Sequence, residues 1–143
     1  MPDPTPLTRP STGVRRLLLT GALALNLVTM YAPSLPAQVE PAVDLRLDLL
    51  GHAASFAALT FTGLLAGVPR RLLLVLVALN AVASELIQHL LLPRRTGDVT
   101  DLAADAVGIA LGLLAWRTWE RIRARRRARR AAGTSGPRSS SPR

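Results

Sequence analysis

The sequence contains no cysteine and no lysine, and aromatic residues make up only 3% of its 143 residues. Without cysteine, neither a disulfide framework nor a thiolate metal site is available. With so few aromatics, the 49% hydrophobic content falls to Leu, Ala and Val. That is not the build of an ordinary soluble core. There is no Gly-rich phosphate loop and no known nucleophile motif, and no internal repeat stands out. The length suits one domain.

What is there comes in apolar blocks with short polar joints. Four can be marked: Leu17 to Leu35, Leu49 to Val68, Leu72 to Leu92, and Leu102 to about Trp119. A helix needs ~20 apolar residues to cross ~30 Å of hydrocarbon. The first three blocks meet that length and the fourth meets it marginally. The expectation is an all-α, four-helix transmembrane bundle with short loops, in a multi-pass protein of the cell membrane. Residues 1–13 and 120–143 are expected to be disordered, the latter as an Arg-rich tail, with the four-span domain at 14–119. A cleavable signal peptide is the alternative for the first block, because Arg15 and Arg16 precede it. Leu35-Pro36-Ala37 makes a weak cleavage site, which favours an uncleaved anchor.

The net charge of +9 is all arginine on the positive side. Ten of the eighteen arginines lie from Arg117 onward, directly after an apolar block. Such a tail fits an anionic membrane surface better than nucleic acid. Counting arginines near the spans puts fifteen on the side of the N-terminus and three, Arg46, Arg94 and Arg95, on the other. By the positive-inside rule both termini are expected in the cytoplasm.

Ionisable groups within spans cost roughly 2.5–3.5 kcal/mol each on insertion scales, so each needs a reason. Here they gather at the outward end. Asp48 and His52 are one turn apart at the start of the second block. Glu85, Gln88 and His89 occupy the outer half of the third. Arg94, Arg95 and Asp98 follow, and Asp101 and Asp105 open the fourth. The i,i+3 and i,i+4 spacings put these residues on shared helix faces. The expectation is an outward-opening polar pocket built from Asp48, His52, Glu85, Gln88, Arg95, Asp98, Asp101 and Asp105. His52 and Glu85 are the candidates for acid-base chemistry, and Asp101, Asp105 and Glu85 for a divalent cation. Asp98 and Asp48 also suit helix capping, and His89 suits an interfacial side chain. Gly63 with Gly67, and Gly108 with Gly112, read as packing pairs.

With these residues in place, the chain resembles the VanZ-like family of small bacterial membrane proteins over roughly residues 44 to 116. The matching features are Asp48 and His52, then Glu85, Gln88, Arg95, Asp98, Asp101, Asp105, Gly108 and Gly112, within SELIQHLLLPRRTGDVTDLAADAVGIALG. Leu49 stands where the family often has lysine, and Asp105 where it often has asparagine, so the pocket is more acidic here. The resemblance implies a cell-envelope protein; the founding members are associated with teicoplanin resistance.

Three functions follow as alternatives. The first is a binding or accessory protein that engages a lipid head group, a lipid-linked precursor or a partner membrane protein. In it, Arg95 contacts phosphate and the carboxylates hold Mg or Ca. The second is an enzyme acting on a lipid substrate, with His52 and Glu85 as base and acid. The third is a structural bundle whose charges pair among themselves. Transport ranks last, since four spans are few for an inverted repeat.

Overall fold

In a computed structural model, residues 9–31, 41–91 and 99–134 are described. They form four α-helices: α1 (Thr12–Tyr31), α2 (Pro41–Ala66), α3 (Arg70–Leu91) and α4 (Val99–Thr134). No strand occurs among the described residues. Each helix contains a stretch long and apolar enough to cross a membrane, namely Thr12–Tyr31, Leu47–Ala66, Arg70–Leu90 and a part of Val99–Ala132.

Burial runs opposite to that of a soluble bundle. Leu17, Val28, Leu50, Leu79, Leu90 and Leu114 are all more than half exposed, whereas Asn26, His52, Thr60, Ser84 and Asp105 are fully buried. Water would not tolerate that arrangement, because apolar surface is exposed and polar groups are desolvated. Lipid does, since the outer leucines meet acyl chains and the polar groups find partners inside. This is a multi-pass membrane protein.

The element ends have local causes. Ser11 caps α1: its hydroxyl accepts from the Val14 amide at 3.4 Å, and its carbonyl from Arg15 N at 3.0 Å. Helix α2 ends in a Schellman turn. Val68 N donates to Gly63 O and Gly67 N to Leu64 O, both at 3.1 Å. Gly67 adopts φ +95° and nothing lies near its Cα hydrogens. It serves the turn, and of the expected pair only Gly63 packs, against Leu73.

Helix α2 is the hub, packing on α1, α3 and α4, most extensively on α4. Small residues make that closeness possible. A Cβ on Gly108 would collide with the Ala53 carbonyl oxygen, and one on Gly112 would lie 2.6 Å from Ala57 O. Two four-residue steps, 53/57 and 108/112, therefore mesh backbone to backbone. Below this seam, Met30, Phe56, Leu59, Leu65, Leu73, Val77 and Trp116 form the apolar core.

The helical content exceeds the expectation at both ends. Residues 12 and 13 belong to α1, and residues 120–134, expected to be disordered, continue α4 without a break. Loss of hydrophobicity past Trp119 ends the apolar run but not the helix. Arg and Ala, which fill the stretch, are strong helix formers, and α4 is already nucleated by its packed part.

Candidate functional site

The meshing of α2 with α4 fixes the register that brings two buried titratable residues together. His52 and Asp105 are both fully buried, with His52 Nδ1 2.9 Å from Asp105 Oδ1. A carboxylate only accepts, so Nδ1 carries the proton of this hydrogen bond. Helix α3 adds Glu85, whose Oε1 lies 4.0 Å from His52 Nδ1 and whose side chain is 14% exposed. Asp101, one turn before Asp105, is 6% exposed, and Asp48, one turn before His52, is half-buried.

These five residues form two overlapping triads, Asp48–His52–Asp101 and His52–Glu85–Asp105. Within each triad one ligating atom per residue lies within 4.8 Å of the others. Groups at such spacing can share one ion. Several polar atoms are also buried without a hydrogen-bond partner: His52 Nε2, Asp105 Oδ2 and both Glu85 oxygens. Such orphans are rare in folded proteins and call for a partner such as an ion or water.

Gln88 was expected beside Glu85 in the pocket. It is buried, and its Nε2 donates to the Met30 carbonyl at 2.8 Å. It thereby satisfies one of the free carbonyls at the end of α1. His89 is exposed. Arg94, Arg95 and Asp98 lie outside the described residues.

One polar layer went unnoticed in the sequence. Asn26 on α1, fully buried, donates to Ser55 Oγ at 3.1 Å, and Asn80 donates to Asn26 Oδ1 at 2.8 Å. The chain of bonds ties α1, α2 and α3 one turn deeper than His52. Its sequence signal is Asn26 in the first apolar block and Asn80 in the inner half of the third.

A family model described as VanZ/LLP1 matches residues 5–120. No curated protein and no solved structure matches the chain.

Proposed function

The chain belongs to the VanZ-like family, and from that premise we propose that it is a cell-envelope protein whose outward-facing cluster holds a divalent cation and through it engages an anionic envelope ligand. The observation that carries this reading is the incomplete cluster: His52 and Asp105, both fully buried, keep Nε2 and Oδ2 without partners beside a further acid, Glu85. A cation would take up those lone pairs. The imidazole in the donor set favours Zn, and the carboxylates beside it also suit Mn, which stands above Mg and Ca in affinity for nitrogen donors. Glu85, partly exposed, is the edge from which a ligand's phosphate or carboxylate would reach the ion. Lipid-linked precursors and lipid head groups carry such groups, and a partner membrane protein could present one.

A second reading draws on one feature. With Nδ1 held by Asp105, neutral His52 has a lone pair and no partner at Nε2, which is the state of a general base. On that reading the chain is a membrane enzyme acting on a lipid or lipid-linked substrate, with His52 and Glu85 exchanging protons.

The test is thermal unfolding of the purified full chain in nanodiscs with Zn, Mn, Mg or Ca added singly. Zn or Mn at about a hundredfold excess over Kd should stabilise by about 2.7 kcal/mol. His52→Ala should remove the effect, and Glu85→Gln should weaken it. If no ion stabilises the wild-type chain while both variants simply lower its melting temperature, the cluster is a self-paired structural network and the proposal fails. Turnover of lipid extract that is lost in both variants would select the enzyme.

A further inference from the structure

The opposite end of the bundle carries a second site, independent of the histidine cluster. Arg9, just before α1, and Glu120, Arg123, Ala124 and Arg127 on α4 line a pocket of about 380 Å³. Arg9 lies over the Trp116 ring at 5.9 Å from its centroid, and Arg123 over Trp119 at 5.8 Å. Arg123 is only 8% exposed, yet its Nε has no hydrogen-bond partner. The Trp119 Nε1 donor beside it is buried and equally without one.

Three guanidiniums against one carboxylate leave two positive charges around this pocket. The two tryptophans hold Arg9 and Arg123 by cation–π contact, which leaves Arg123 Nε without an acceptor. Planar guanidinium donors are the set that phosphate takes up.

What distinguishes lipid from free phosphate is the position. The pocket lies on α4 just past Trp116 and Trp119, where the apolar part of the helix gives way to arginine. A phosphate held there is at the bilayer surface, within reach of lipid head groups. Arg123 and Arg127 lie past residue 120, beyond the stretch matched by the family model.

We propose that the pocket of Arg9, Arg123 and Arg127 binds the phosphate of an anionic phospholipid. The arginine distribution predicts that this end faces the cytoplasm, so the lipid belongs to the inner leaflet. Glu120 limits the charge excess and suits a singly charged phosphodiester better than a dianion. The site would hold the long arginine helix against the bilayer surface.

The experiment measures lipid retention by native mass spectrometry of the full chain, with phosphatidylglycerol, phosphatidylcholine and inorganic phosphate offered separately. Phosphatidylglycerol should be retained over phosphatidylcholine, and inorganic phosphate should not displace it. Arg123→Gln should lower that retention about fivefold or more. Because Arg123 is buried and its loss could affect folding, Arg9→Gln and Arg127→Gln at exposed positions provide a second test and should each lower it too. Arg70→Gln and Arg71→Gln, exposed at the start of α3 and outside the pocket, should not. Equal losses from the α3 variants would reduce the effect to general surface charge and overturn the site. Retention of inorganic phosphate with no preference among lipids would overturn the lipid assignment.

Discussion

Asp105 shows how much one side chain does in a membrane interior. It accepts the hydrogen bond of a fully buried histidine and keeps a second oxygen without a partner. Two substitutions separate these roles. In Asp105→Asn the amide oxygen still accepts from His52 Nδ1, so the folded protein should persist while ion stabilisation falls. In Asp105→Leu the His52 donor is left buried and unmatched, at a cost of about 1–3 kcal/mol. Thermal unfolding with and without Zn or Mn distinguishes the two outcomes. Equal loss of folded protein in both would mean that the negative charge itself, not the hydrogen bond, holds the helices. Asn26 makes the same point one turn deeper. Asn26→Leu would strand Asn80 Nδ2 and remove the donor to Ser55 Oγ. Interhelical polar bonds in membranes average about 0.6 kcal/mol, so a loss near 1–2 kcal/mol in the melting free energy is expected. No change at all would show that lipid-embedded amides re-pair freely.

At the scale of elements, the α2–α4 seam decides whether a site exists. Gly108→Ala puts a methyl group against the Ala53 carbonyl, which is backbone and cannot swing aside. Overpacking of this kind costs about 1–3 kcal/mol, and here it would also pry Asp105 from His52. Gly21→Ala on α1 is the matched control, because nothing lies within 4 Å of its new Cβ. It should be neutral or stabilising by about 0.5–1 kcal/mol. Equal melting temperatures for the two variants would mean that the helices do not meet at Gly108. This seam also marks where the sequence stopped being readable. The apolar blocks, the four helices and the Asp48–His52 turn follow from composition and spacing, since those are properties of one helix. The Gly108/Gly112 step was visible as a packing pair, but not its partner. Only once Ala53 and Ala57 are known to meet it does Asp105, rather than another acid, fall on His52. The bond from Gln88 to a backbone carbonyl of α1 was illegible for the same reason, since no side-chain pattern announces it. The arginine helix is not legible in hydropathy, which falls past Trp119 where helix propensity carries α4 on to Thr134.

Considered as a whole molecule, the chain is polar at two ends and apolar between, and the two ends differ in sign. Asp48, Glu85, Asp101 and Asp105 gather at one end, and Arg9, Arg15, Arg16 and the arginines of α4 at the other. Four spans return the chain to the side it started from, so a single orientation settles where both proposed sites face. Fifteen arginines flank the spans on the side of the termini and three on the other, a bias that predicts cytoplasmic termini. Arg15 anchors that end from within, donating from Nη1 to Leu65 O at the C-terminal end of α2, where a cation suits the helix dipole. The prediction is that a fluorescent protein fused after Arg143 lights up, and that alkaline phosphatase fused there is inactive. Phosphatase inserted between Pro93 and Arg94 should be active. The reverse pattern would turn the carboxylate cluster toward the cytosol, away from any envelope ligand, and the arginine pocket toward the outer leaflet. Topology mapping is therefore the first experiment, because both sites inherit their ligands from the compartment each faces.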